Sequence, residues 1–345
     1  MKPMSRQIQL TAYPEGEIRV DHFRVAEVDT PVPAPGEVLV RNLWTSVDPG
    51  MRLRLAAAGP AGYFAPFALN APLDGIMTVG KVVETRIHGF APGDIVWHAA
   101  GWRDFSVVRA DEPALRGLGT LTKLDGSIAR PEAYLGPLGG VGLTAYVGLL
   151  HVAELRDGDV VWVSAAAGAV GSLAAQMAKL RGHYVIGSAG SAAKVAYLRD
   201  ELNIDAAFDY HDQPIDEQLS AAAPDGIDVY FDNVGGDHLE AALAALRRDG
   251  RAALCGAVSD YEGTPRGPRN LFQATANDLT LRGFRGSSHI HRFPELHRDM
   301  TRWLNEGLVK TRETVFDGLE RAPEALVRML AGETTGKTLV RVGGS

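Results

Sequence analysis

The chain has a single cysteine, Cys255, among 345 residues. That excludes an internal disulfide framework and fits a reducing cytoplasm. It also leaves too few thiols for the Cys/His/Cys set of a catalytic zinc centre or for a four-cysteine structural lobe. No apolar run reaches the roughly 20 residues of a membrane-spanning helix. The opening segment Met1 to Arg6 has no signal-peptide core, so a cytoplasmic protein without a membrane partner is expected. Positive charge is in deficit, 35 Lys and Arg against 42 Asp and Glu, and nowhere forms a stripe. Nucleic acid is therefore not an expected partner. Repeats and low-complexity segments are missing too. A hydrophobic fraction of 46% with 22% charged residues is that of a globular protein, long enough for two domains.

The most informative stretch runs from Asp159 to Gly171. An apolar strand (Val160 to Val163) enters a small-residue turn, and an Ala/Leu/Met helix pattern follows at once. The spacing Ala166-x-Gly168-x-x-Gly171 is a dinucleotide fingerprint whose first glycine is alanine. Gly168, Ala169, Val170 and Gly171 are the expected pyrophosphate contacts, because a helix N-terminus presents unpaired N–H groups and a favourable dipole to an anion.

The end of the second strand, Tyr184 to Gly187, lacks something as well. An NAD site places an acid there, about 20 residues beyond the glycines, to hold the ribose 2′-hydroxyl. This chain has Ser188-Ala189-Gly190-Ser191 instead, then Lys194, and Tyr210 closes the third strand, Ala206 to Asp209. A cation and a hydroxyl suit a 2′-phosphate, so NADPH is the expected cofactor. An ordinary surface lysine would look the same in sequence. Further strands end at Asn233-Val234-Gly235-Gly236 and at Cys255-Gly256. In open α/β sheets ligands bind beyond such carboxyl ends, which nominates Asn233 and Cys255 to Tyr261 for the nicotinamide ribose. Gly235, Gly236 and Gly256 would equally serve as helix-entry turns.

The first third differs in texture. Short alternating segments (Gly36 to Trp44, Ile76 to Glu84, Ile95 to Trp97) are divided by Gly/Pro turns, which predicts a compact antiparallel barrel. A helix is expected over Pro131 to Leu150. Strands Glu313 to Phe316 and Lys337 to Val342 flank a helix at Leu319 to Leu330 and are expected to return to the barrel. The domain assignment is therefore 1–130 with 312–345 for the barrel, and 131–311 for the nucleotide-binding, doubly wound parallel sheet.

Several motifs together resemble one family. They are Ser46-Val47-Asp48-Pro49-x-Met51-Arg52, Gly142 to Leu150, Ala165 to Gly171, Lys194 to Leu198, Phe231 to Gly236 and Cys255 to Ser259 with Tyr261. The chain resembles the zinc-free, NADPH-dependent branch of the medium-chain dehydrogenase/reductase superfamily, the alkenal, prostaglandin and curcumin-type double-bond reductases. The resemblance implies a GroES-like barrel plus a Rossmann domain, a homodimer, and a small enone or enal substrate. It further implies that Gly168 to Gly171 hold the pyrophosphate, Lys194 and Tyr210 the 2′-phosphate, and Asn233 with Cys255, Gly256, Ala257, Val258 and Ser259 the ribose and nicotinamide. Tyr261 is similar to the active-site tyrosine. Thr335 stands at a cofactor position where the family commonly has Asn, and Gly50 where it commonly has a pocket tyrosine, which implies a roomier pocket. Met51, Trp44 and Phe284, with Trp102, are the expected pocket-lining residues.

Reducing an isolated carbonyl calls for a Lewis acid, whereas a conjugated C=C–C=O accepts hydride at its β-carbon and leaves an enolate that hydrogen bonds can stabilise. The Tyr261 hydroxyl is expected to do this, with the α-carbon proton coming from it or from water. A packing role over the cofactor is the alternative for Tyr261. The alternative functions are a quinone oxidoreductase on the same fold and a non-catalytic NADPH-binding protein. His289, His291 and His297 have no acidic or thiol companions at matched spacing and are expected to be solvated or to line a cleft; no metal is expected.

Overall fold

A computed structural model describes residues 4–111, 117–125, 130–262 and 265–343. In chain order the strands are β1 (Met4–Leu10), β2 (Phe23–Asp29), β3 (Glu37–Ser46), β4 (Thr78–Thr85), β5 (Ile95–His98), β6 (Phe105–Arg109) and β7 (Thr122–Lys123), then helix α1 (Gly140–Val147). An alternation of strand and helix follows: β8 (Val160–Val163), α2 (Ala169–Leu180), β9 (Tyr184–Ala189), α3 (Ala192–Ala196), β10 (Ala206–Asp209), α4 (Ile215–Ala222), β11 (Ile227–Asp232), α5 (Gly236–Ala245) and β12 (Leu246–Leu254). The chain closes with α6 (Phe272–Ala276), β13 (Thr280–Gly283), α7 (Phe293–Asn305), β14 (Glu313–Asp317), α8 (Ala322–Leu330) and β15 (Lys337–Arg341).

These elements form two units, Met1–Gly140 with Glu313–Ser345, and Val141–Arg312. In the first, β14-β15-β3-β4-β5-β7 form a sheet, and β6 joins it on β3. One edge of β3 is shared: Glu37 to Arg41 pair with β6, and Trp44 to Ser46 pair with β15. The sheet is antiparallel except where β14 runs parallel to β15. Its core gathers Ile8, Leu10, Leu55, Leu73, Phe316, Leu326 and Val340. In the second unit, β10-β9-β8-β11-β12-β13 make a six-stranded parallel sheet. This is the doubly wound order, with the chain reversing between β8 and β11. Trp162, Ile186, Tyr230 and Ala252 are buried within that sheet's core.

The helix expected over Pro131 to Leu150 is broken. Pro131–Leu135 is a short 3-10 turn, α1 begins only at Gly140, and Gly148–Val152 is a turn of π-helix. Gly136, Pro137, Gly139 and Gly140 explain the break, since glycine and proline are poor helix interiors. Gly148 has a packing reason: a Cβ there would lie 2.4 Å from Phe231 and 2.6 Å from Phe284.

Candidate functional site

The carboxyl ends of the six parallel strands carry most of the expected site residues. Beyond β8, Ala165 takes a left-handed conformation (φ 46°), and its carbonyl accepts the Gly168 N–H at 2.9 Å. Gly168 is the N-cap of α2, with extended ψ of 176°. A Cβ on Gly171 would lie 2.4 Å from the Ala165 carbonyl oxygen and 2.9 Å from the Ala166 Cα. Only glycine lets this helix start so close to the strand. Gly168, Ala169 and Val170 stay partly exposed. The result is a bare, partly exposed N-terminus on a twelve-residue helix, which fits a pyrophosphate in shape and charge.

One strand along, β9 ends at Ala189, and Ser191 caps α3 by accepting the Lys194 N–H at 3.3 Å. The Tyr210 N–H donates to the Ala189 carbonyl at 3.1 Å, and its hydroxyl lies 2.8 Å from where a Gly190 Cβ would stand. Lys194 and Tyr210 thus flank the same strand end, which carries no carboxylate of its own. Burial lowers the Lys194 ammonium below its usual pKa, and Asp209 opposes that shift. Asp209, at the end of β10, is the acid of this corner; its Oδ1 accepts the His211 N–H at 3.0 Å.

The ends of β11 and β12 are tied through Asp232. Its Oδ1 accepts the Tyr230 hydroxyl at 2.8 Å and the N–H groups of Val234 and Gly235 at 2.9 and 2.8 Å. Its backbone oxygen accepts the N–H groups of Cys255 and Gly256 at 2.8 and 3.0 Å. Ser164 holds Asn233 from the other side: its Oγ accepts the Asn233 N–H at 3.0 Å, and its carbonyl accepts the side-chain amide at 2.8 Å. The loop after β12 is laid over the loop after β11, with Val258 and Ser259 donating to Asn233 and Val234 at 3.3 and 3.1 Å. Gly235 and Gly236, both at positive φ, do start a helix, and they also admit this loop: a Cβ on Gly235 would sit 3.0 Å from that of Ala257.

Tyr261 turns its hydroxyl back to this strand end, 3.4 Å from a Cβ on Gly256. Burial raises its pKa, the nearby Cys255 adds to the rise, and a hydrogen bond from the Ala257 backbone opposes it. Burial, with Asp232 second, pushes the Cys255 thiol up to about 12. Both groups are protonated at neutral pH: Tyr261 is a donor, and Cys255 is no nucleophile.

The other nominees are elsewhere. Phe284 follows β13, is half-buried, and stands edge-on to Phe231 with ring centres 6.2 Å apart. Met51 and Trp102, expected to face a pocket, are wholly buried in the core of the first unit. Trp44 is half-buried beneath the Arg341 guanidinium, 4.8 Å from its ring centre. Thr335 pins the link between β14 and β15, its carbonyl accepting the Thr314 hydroxyl at 2.8 Å. Nor does Gly50 leave open room, because the Tyr63 hydroxyl lies 2.3 Å from where its Cβ would be. His289 and His291 have rings 6.0 Å apart, His297 packs on Phe293, and among the described residues no three of His, Cys, Asp and Glu form a metal-ligand group. Sequence reasoning missed Ser164, Tyr230 and Asp232. The available signal was a polar residue ending each of two otherwise apolar strands.

Residues 6–115 match the family described as the N-terminal domain of oxidoreductase, and residues 169–302 the family described as zinc-binding dehydrogenase. An NADPH-dependent curcumin reductase of Escherichia coli is 36% identical over 99% of this chain and 98% of its own. An NADP(+)-dependent 2-alkenal reductase of Nicotiana tabacum is also 36% identical, over 98% of this chain and 97% of its own. The crystal structure of CurA from Vibrio vulnificus in complex with NADPH superposes with a TM-score of 0.90 at 34% identity, covering 99% of this chain and all of that one.

With a pKa near 12 instead of 9, the Cys255 thiolate is about a thousandfold scarcer than that of an unperturbed thiol. Part of that loss is offset by the greater nucleophilicity of a more basic thiolate. Exchange with a small aromatic disulfide at about pH 8 should therefore be at least thirtyfold slower, roughly, than for a free thiol. As the sole cysteine it gives an unambiguous readout, and a rate like that of glutathione would contradict the assigned environment.

Proposed function

Because the chain belongs to the medium-chain dehydrogenase/reductase family, in its branch of NADP-dependent double-bond reductases, we propose that it uses NADPH to reduce the C=C bond of α,β-unsaturated aldehydes and ketones. The observation that carries this reading is the protonated Tyr261 hydroxyl, held beside the ends of β11 and β12. The residues that would hold the cofactor are Gly168 to Gly171 for the pyrophosphate, Lys194 and Tyr210 for the 2′-phosphate, and Asn233 with Cys255 to Ser259 for the ribose and nicotinamide. We give Thr335 no contact beyond its turn. When bound, NADPH supplies a hydride, which a conjugated alkene accepts at its β-carbon while negative charge develops on the carbonyl oxygen.

Tyr261 donates its proton in a hydrogen bond to that oxygen. The donor is held beside Gly256, and the raised pKa keeps its proton in place. The enolate then takes one proton at the α-carbon, from the Tyr261 hydroxyl or from water, and the saturated carbonyl product and oxidised cofactor remain. Cys255 stays a neutral thiol and takes no part in transfer. The reaction makes no call on zinc: the only cysteine lies on the cofactor loop, and a conjugated alkene needs no stronger polarisation than a hydrogen bond. Phe284 and Trp44 remain the apolar residues nominated for substrate. We also infer a cytoplasmic homodimer. Its support is the outer edge of β13, which pairs with no strand among the described residues and so offers a template for a second copy; a monomer in sedimentation equilibrium would rule that out.

A steady-state panel of enals, enones, quinones and saturated ketones tests the activity, with enals and enones expected to lead and saturated ketones leading as the contrary result. Tyr261→Phe should lower kcat on an enone by about a hundredfold. Since the raised pKa keeps the phenol protonated, wild-type kcat should stay flat from about pH 6 to about pH 9 and fall only as the hydroxyl ionises above that. An unchanged kcat in the variant removes Tyr261 from the mechanism. Lys194→Ala should weaken NADPH binding about ten- to hundredfold and leave NADH nearly unmoved. Its effect should shrink with added salt. Equal losses for the two cofactors would make Lys194 structural.

A further inference from the structure

The strand ends of the parallel sheet line up in a functional order. Lys194 and Tyr210 stand at β9 and β10, the bare helix N-terminus at β8, and the paired loops with Tyr261 at β11 and β12. β13 comes next and last. At its carboxyl end is a cavity of about 380 Å3 lined by Arg282, Gly283, Phe284, Arg285, Ser288 and His289. Two guanidiniums, an imidazole and a hydroxyl line it, and no carboxylate does. Arg282 forms no ion pair among the described residues. The surroundings are cationic too: burial lowers the His289 pKa, and His291, Arg282, His151 and Arg292 push it further the same way. The acid nearby, Glu295, is already engaged by Arg292 and lies 3.5 Å from the His151 Nε2.

Distance excludes the pyrophosphate as occupant. β13 lies three strands from β8, or about 14 Å at the usual strand spacing, but only one strand, about 5 Å, from β12 and its Tyr261 loop. What reaches the cavity is therefore whatever lies beside the nicotinamide-end loops. We propose that this cavity holds an anionic group of the substrate, a carboxylate carried a few bonds from the reacting alkene, so that carboxylate-bearing enones are preferred over neutral ones. This rests on the reductase reading above. Arg282 and Arg285 supply the charge and Ser288 a hydroxyl donor, while Phe284 gives an apolar wall for the intervening carbons.

The test compares an enone bearing a terminal carboxylate two methylenes from the alkene with its methyl ester. Wild-type enzyme should favour the acid, with the difference in KM and not in kcat. The discrimination should be up to about fivefold, the worth of an ion pair open to solvent. Arg282→Gln should collapse the acid-to-ester ratio of kcat/KM towards one, and Arg282→Lys should restore part of it. Calorimetric binding of the corresponding saturated acid, with and without oxidised cofactor, supplies a readout independent of turnover. Its Kd should rise in Arg282→Gln and with salt. Equal use of acid and ester, or a ratio untouched by Arg282→Gln, overturns the proposal. So does binding of acetate or inorganic phosphate as tightly as the saturated acid, which would mean an adventitious anion site only. If no enone is turned over while the saturated acid still binds in an Arg282-dependent way, the reductase reading fails and the anion site stands.

Discussion

The Asp232 carboxylate is the joint on which the nucleotide-binding unit depends. It is buried at the end of a central strand, where an isolated charge would be costly. Burial raises its pKa, and the Gly235 N–H, the Tyr230 hydroxyl and the Val234 N–H pull it back. Those donors do more than solvate it. They fix the turn from Val234 to Gly235, and the carbonyl of the same residue fixes Cys255 and Gly256 on the next strand. The positions of Asn233 and Tyr261 both follow from this one residue and its Ser164 neighbour. Neither Asp232 nor Ser164 needs to touch a ligand for the site to depend on it.

The candidate recognition surface is made largely of backbone. The N-terminus of α2, the Gly235–Gly236 turn and the loop from Cys255 to Ser259 all present main-chain groups, and close approach is possible because particular Cβ atoms are missing. Gly171 shows the constraint most sharply, since a single methyl would collide with a carbonyl oxygen that cannot move without unwinding the preceding turn. Side-chain chemistry enters at two ends of this surface, a lysine and a tyrosine at one, a tyrosine and a cationic cavity at the other.

Much of this was legible in the sequence where local pattern and global fold agree. The strands β8 to β12 each carry an apolar run, and the helices between them carry regular apolar spacing, so both type and order could be read. β13 could not: it is four residues, Thr280 to Gly283, mostly exposed, and ends in arginine and glycine. The first unit was legible as β-rich, and the strand–helix–strand pattern at 313–342 is the one that lets β14 and β15 run parallel. Met51 and Trp102 show another limit. An apolar side chain has the same letter in a core as in a pocket, and only packing separates them. Gly50 shows a third: the space it leaves is taken by Tyr63, thirteen positions on, a contact made by the fold of the intervening loop.

The first unit is assembled from both ends of the chain, and the second lies uninterrupted between them. On the ribosome this imposes an order of events. The parallel sheet has all its strands once β13 has emerged, and it can close while synthesis continues. β3, made early, must wait for β15 to satisfy the edge from Trp44 to Ser46. Until then that edge is an open template for strand pairing. The nascent chain thus ends its translation with a finished nucleotide-binding half tethered to an unfinished barrel, and the five-residue β15 is the clasp that ends the exposure.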